Sequence, residues 1–244
     1  MKQIFRFQWM LLVVLLIPMS LVQAGFDEAV EAANAGDFDT AFKEFSVLAE
    51  QGDERAQQSL AWMYFEGQGR DVDYAKAVYW YRKAAGQGNI TAQINLAQMY
   101  AYGQGVAQDF SQAAYWWRRL AEQGDARSQT ALGGLYYQGQ GVKKDYAKAA
   151  ELWRQAAEQG YMEAQLNLGL MYGKGQGVEQ DDVRAYAWLT AATTQGNDVA
   201  DSSREFALTQ LDEAQREQAE ALAKELVRKY VEPFASSVGD EKLL

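Results

Sequence analysis

A chain of 244 residues that is 48% hydrophobic and holds only two prolines can bury a substantial core and is too apolar to stay disordered. Its 33 acidic against 23 basic residues give a net charge of −10, a field that repels phosphate backbones and anionic lipid and so disfavours nucleic acid or a membrane surface as partner. The chain has no cysteine and no histidine, which removes disulfides and the usual zinc, iron and copper ligand sets.

The first residues run from basic Lys2 and Arg6 through an apolar stretch, Met10 to Ile17, to Pro18 and then Val22-Gln23-Ala24. That is the order of a secretory signal peptide, with cleavage expected after Ala24. A retained anchor is the alternative, but the apolar run is shorter than the roughly 20 residues needed to cross a bilayer. No cysteine lies near Ala24 to carry a lipid. Loss of the leader leaves 21 basic and 33 acidic residues, a charge of −12, on an exported chain that must be held together by helix packing alone.

Residues 25–55 read as a half-degenerate capping pair. Phe26 to Asn34 is a short first helix, Asp37 and Phe38 stand one period before Asp73 and Tyr74, and Ala41 through Gly52 is a second helix. From 56 to 199 one pattern then recurs four times at an interval of 36 residues. Ala56, Ala92, Ser128 and Ala164 open the copies. Leu60, Leu96, Leu132 and Leu168 follow, then Tyr64, Tyr100, Tyr136 and Tyr172, each leading into Gly-Gln-Gly. In the first copy Ala56, Leu60, Met63 and Tyr64 fall on one face of a helix, here called helix A. The glycines tolerate positive φ and turn the chain back.

An alanine-rich helix B follows, with Asp73, Asp109, Asp145 and either Asp181 or Asp182 as N-caps. Trp80, Trp116 and Trp188 fill the space between layers, and Gly88, Gly124, Gly160 and Gly196 fit the left-handed position past a helix end. After Ala200 the pattern fades into a charged helix from Thr209 to Tyr230, opened by a Thr209/Asp212 capping box, that seals the stack over 200–232. Residues 233–244 carry no periodicity and read as a flexible tail.

The order Ala-x-x-x-Leu-(Ala/Gly)-x-(Met/Leu)-Tyr-x-x-Gly-x-Gly-Val, then Asp, then Ala-x-x-(Trp/Leu)-x-x-x-Ala-Ala and Gln-Gly closely resembles the Sel1-like repeat, a relative of the tetratricopeptide repeat. The match covers 56–196, with departures at Arg70, Ser128 and Thr193 that leave each helix pair intact. The resemblance implies an all-α solenoid, a right-handed superhelix in which helix A lines a concave face that holds proteins or peptides. Bacterial exported members are similar to periplasmic regulators and to scaffolds of polysaccharide export. A disulfide-stapled secreted subgroup also exists, but this chain lacks its cysteines.

By the geometry of related repeats, the positions facing the groove are Arg55, Gln58, Trp62 and Phe65 in the first unit. The next three units place Thr91, Ile94, Gln98 and Ala101, then Arg127, Thr130, Gly134 and Tyr137, then Glu163, Leu166, Leu170 and Gly173. Trp62, Phe65 and Tyr137 are either large anchors for a ligand or packing between repeats, and Arg55 and Arg127 either pair with a partner carboxylate or stay solvated. The unvarying ladder Gln57, Gln93, Gln129 and Gln165 behaves as scaffold rather than as ligand contact. The Gly-Gln-Gly turns lack the lysine and preceding strand of a phosphate loop. In Tyr79-Trp80-Tyr81 and Tyr115-Trp116-Trp117 half of each run faces inward, leaving outer tyrosines that can either stay solvated or stack on a sugar.

Three functions compete. A non-catalytic periplasmic or secreted scaffold binds an envelope or secreted protein or peptide in the groove. A second reading gives the same fold a glycan ligand in peptidoglycan or exopolysaccharide assembly. A third makes Glu66 and Asp71 the acid and base of a cell-wall hydrolase, against which stands the absence of histidine, cysteine or a serine beside a base. No cofactor, metal or catalytic residue is expected, and no integral span after cleavage of the leader.

Overall fold

The computed structural model describes residues 19–234, and side chains from residue 25 onward. Most of the expected leader and residues 235–244 of the expected tail lie outside the described residues.

The described residues form helices with no strand among them. They succeed one another as α1 (Met19–Asn34), α2 (Phe38–Glu50), α3 (Glu54–Glu66), α4 (Tyr74–Gly86), α5 (Ile90–Tyr102), α6 (Phe110–Ala121), α7 (Ala126–Gln138), α8 (Tyr146–Ala157), α9 (Met162–Lys174), α10 (Asp182–Thr194), α11 (Asp198–Thr209) and α12 (Glu213–Tyr230), closed by a 3₁₀ turn, Glu232–Phe234. Through α11 each helix packs on the next in chain order, the contact pattern of an α-solenoid. The odd-numbered helices α3 to α9 are helix A of each repeat, the even-numbered α4 to α10 helix B.

Sequence explains both the helices and their stacking. Ala56, Ala92, Ser128 and Ala164 are fully buried, as are Leu60, Leu96 and Leu168 to within 1%. Small side chains there let neighbouring helices approach, and the leucines fill the seam. Asp73, Asp109, Asp145 and Asp181 each accept from a backbone N–H in the first turn of helix B, which fixes Asp181 rather than Asp182 as the fourth cap. The same four aspartates donate their own N–H to the carbonyls of Tyr64, Tyr100, Tyr136 and Tyr172 at 2.8–3.0 Å, closing the loop between the two helices. That is why tyrosine, glycine pair and aspartate travel together through the repeats.

The two glycines of each tripeptide do different work, as the second copy shows. Gly103 caps α5 in the left-handed conformation, φ 69°. Gly105 lies against the preceding repeat, and a Cβ built on it would stand 2.3 Å from the Tyr74 carbonyl carbon. The second glycine therefore joins units as well as turning the chain.

Gln57, Gln93, Gln129 and Gln165 are buried, and each donates its side-chain amide to the carbonyl of Ala49, Ala85, Ala121 or Ala157 at the end of the preceding helix B. Three of them also accept from the glutamine of the following turn, Gln87, Gln159 or Gln195. The ladder is scaffold.

The ends depart from expectation. Helix α1, Met19–Asn34 among the described residues, already runs ahead of Phe26, and the expected cleavage point after Ala24 falls within it. At the other end the capping box joins Asp212 to Gln215, because Thr209 is still the last residue of α11 and turns its hydroxyl back to the Phe206 carbonyl. Helix α12 packs along α10, with the Tyr230 ring stacked on Trp188 at 5.7 Å. Tyr230 also offers its carbonyl to Gln165, and Phe234, expected in the tail, sits in the 3₁₀ turn over Gly160.

Candidate functional site

Helix A of the third repeat carries two adjacent glycines where the first two repeats carry Ala61-Trp62 and Ala97-Gln98. Gly133 is buried against Trp153 of α8, and its missing side chain lets that indole lie across α7, where Nε1 donates to the Thr130 carbonyl at 3.0 Å. Gly134, next along, has open space where a Cβ would be. The result is a crevice of about 260 Å³ between α7 and α9, walled by Tyr137, Trp153, Leu170 and Met171 and rimmed by Asn167 and Lys174.

The aromatic wall is held in place. The Tyr137 ring lies 5.1 Å from Tyr146 and 5.5 Å from Trp153, and its hydroxyl donates to Gln176 Oε1 at 3.0 Å. A fixed tyrosine and tryptophan beside a hollow of mixed lining form the kind of surface on which protein partners bury an anchor side chain, since little rotamer freedom is left to lose.

Of the groove candidates, Tyr137 and Leu170 line this crevice, while Leu166 is half-buried against the core and not on the crevice wall. Gln58, Ile94 and Gln98 are half-buried along the same helix-A face, away from the crevice. Trp62 is 38% exposed, while Phe65 is half-buried with its ring 5.2 Å from Tyr74. Arg55 is tied into the amino-terminal pair, 4.2 Å above the Phe26 ring and ion-paired to Asp53 at 3.0 Å. Arg127 lies beside Tyr161, whose hydroxyl is pushed up by burial and by Glu163, with Arg127 opposing.

Sequence reasoning passed over Trp153, Asn167, Met171, Lys174 and Gln176. The signal available was the Gly133-Gly134 pair, which trades bulk for space at two consecutive register positions. Both runs Tyr79-Trp80-Tyr81 and Tyr115-Trp116-Trp117 bury two of their three rings, not half; only Tyr79 and Tyr115 stand out, at 48% and 45% exposure. Glu66 and Asp71 are exposed around the turn that follows α3. Among the described residues no group of three or more acidic residues is placed to hold a metal ion, and no helix is long and apolar enough to cross a membrane.

The Sel1 repeat family model matches residues 55–89, 90–125, 126–161 and 163–197, more than half of the chain. A solved protective antigen of uropathogenic Escherichia coli displaying an SLR fold is 33% identical with a TM-score of 0.55, over 91% of this chain and 56% of its own. A Sel1 repeat protein from Oxalobacter formigenes is 36% identical with a TM-score of 0.59, over 72% of this chain and 49% of its own. This chain thus spans about half the length of these two solved proteins. No curated protein gives a significant match. Proteins of this kind are generally non-catalytic scaffolds for protein interaction. With four consecutive matched repeats and helix pairs stacked in the same way, the chain belongs to the Sel1 repeat family.

Proposed function

We propose that the chain is an exported, non-catalytic scaffold in which the helix-A face holds a segment of an envelope or secreted protein, with an anchor side chain seated in the crevice beside Gly134. The supporting observation is that crevice: a hollow of about 260 Å³ with a fixed tyrosine and tryptophan as walls and a polar rim, on the face that Sel1 repeats present as their groove. Residues 1–24 act as the export signal in this reading, and the mature chain begins at Gly25. The solved proteins to which the chain is similar include a protective antigen, which suits a protein displayed outside the cytoplasm.

A glycan ligand is the second reading, favoured by Tyr79 and Tyr115, whose rings stand exposed edge-on to Trp80 and Trp116 at 5.0 Å. Pull-down from envelope extract separates the two. If the scaffold reading holds, the wild type retains one protein in stoichiometric amount, and Tyr137→Ala and Trp62→Ala weaken that retention. Enrichment of murein or polysaccharide alone, lost with Tyr79→Ala and Tyr115→Ala, would replace it with the glycan reading.

A further inference from the structure

The helix-B face carries a second, differently built cleft. The register Trp80, Trp116, Trp188 is broken once, by Leu152 in the third repeat. The three tryptophans are 6–9% exposed, each filling the seam between layers. Where Leu152 stands instead, a cleft of about 520 Å³ opens between α6 and α8, floored by Leu132, Leu152 and the ring of Tyr136.

Around its mouth and the hollow beside it, cations outnumber acids. The cleft shares Arg118, Tyr136 and Lys148 with an adjoining hollow of about 430 Å³ that adds Lys143 and Lys144. Arg118 Nη2 donates to the Tyr136 hydroxyl at 3.3 Å, and Lys148 Nζ lies 5.3 Å from the Tyr136 ring, so both cations gather around one side chain. Three acids share this lining: Asp145 caps α8 through the Lys148 backbone N–H and pairs with Lys148 Nζ at 3.9 Å, Glu151 is held by Arg154, and Glu122 also lines the cleft. The cations therefore exceed the unengaged carboxylates. The turn positions of Lys143 and Lys144 are Asp71 and Val72, Ala107 and Gln108, and Glu179 and Gln180 in the other repeats. A cluster of four cations in a chain of net charge −10 is thus confined to one step of the stack.

The molecule shows what covers this face one step further on. There α12 lies along α10 and sets Tyr230 on Trp188. An aromatic side chain carried by a peptide segment is therefore already a solution to covering helix B.

We propose that the α6–α8 cleft is a second protein-binding site, taking an acidic peptide segment whose bulky aromatic side chain occupies the space Leu152 leaves open while its carboxylates meet Arg118, Lys143, Lys144 and Lys148. Complementary charge steers the segment in, and burial of the ring supplies specificity. The site lies on helix B, away from the crevice beside Gly134, and stands or falls separately from it.

The test is fluorescence anisotropy of a labelled acetyl-Glu-Asp-Trp-Glu-Asp-amide peptide with the full chain at low salt. Saturable binding is expected, weakened about tenfold or more by Lys143→Glu with Lys144→Glu, by Leu152→Trp, and by replacing the peptide's tryptophan with alanine. Circular dichroism checks that each variant remains folded, and the alanine peptide needs no change to the protein. Val199→Glu, on the exposed face of α11 and in neither lining, should leave binding unchanged. Absence of saturable binding up to about 1 mM, equal affinity for the alanine peptide, or loss of binding with Val199→Glu would each overturn the proposal.

Discussion

Two neighbouring glycines in α7 should respond to the same substitution with opposite signs. Neither Gly133 nor Gly134 has positive φ, so alanine suits both backbones and contributes about 0.5–1 kcal/mol of helix stability at each. At Gly134 nothing lies within 4 Å of the new Cβ, and the gain stands alone. At Gly133 the Cβ would come within 2.6 Å of Trp153 Nε1 and 2.8 Å of its Cδ1, so the indole must move. Ala97 coexists with Trp117 at the same register, so a tryptophan can be accommodated elsewhere. The cost is then displacement from the Thr130 carbonyl, about 1 kcal/mol for the hydrogen bond, and from the Tyr137 ring, about 0.5–1.5 kcal/mol. Net of the helix gain, Gly133→Ala should lose about 1 kcal/mol and separate from Gly134→Ala by about 2 kcal/mol, a difference of about 4–8 °C in melting temperature. Thermal and urea denaturation followed by circular dichroism measure this. A Gly133→Ala chain as stable as Gly134→Ala would refute the placement of Trp153 and, with it, the origin of the crevice.

Other expectations concern the scaffold. Gln165→Ala removes bonds to the Ala157 and Tyr230 carbonyls and to Gln195, and should cost about 1–3 kcal/mol in urea denaturation. Gln93→Ala should cost less, since the Gln93 Oε1 has no hydrogen-bond partner. Ser128 is fully buried with its hydroxyl unpartnered where the other repeats place alanine, so Ser128→Ala should raise stability, by on the order of 1 kcal/mol. The carboxyl of Asp37 is held down by Thr40, that of Asp73 by the Lys76 N–H, and that of Asp109 by the Ser111 hydroxyl. At Asp53 burial opposes ionisation but is outweighed by Arg55 and the Ala56 N–H. Folded values below the ordinary 3.8 mean stability that is present above that pH and lost as pH falls further, through the folded values. With no histidine, melting temperature should be flat between about pH 5 and 8 and fall below about pH 4; a transition near pH 6 would contradict this.

Much of the fold was legible because the repeat copies its physical instructions. Aspartate caps, paired glycines and buried alanines recur in register, and each specifies a local geometry that needs no knowledge of distant residues. The role of Gly105 was hidden, because its close approach to Tyr74 exists only once two units are stacked. The capping box of α12 was misplaced to Thr209 because Ser/Thr and acid three residues apart is a frequent pattern, whereas the Asp212–Gln215 pairing depends on where α11 stops. The crevice was half visible: Tyr137 and Leu170 are among the positions that the resemblance to related repeats turns toward the groove, but Trp153 arrives from helix B through a gap made by a residue with no side chain.

Photo-crosslinking tests the central claim most directly. A benzophenone-bearing residue placed at position 134 opens into the crevice, and one at position 199 sits on α11, where Val199 is 69% exposed. In cells that express the chain, position 134 should crosslink to one protein and position 199 should not, with Tyr137→Ala reducing the yield. No protein adduct at position 134, or the same adducts with equal yield at both positions, would contradict a binding groove on the helix-A face.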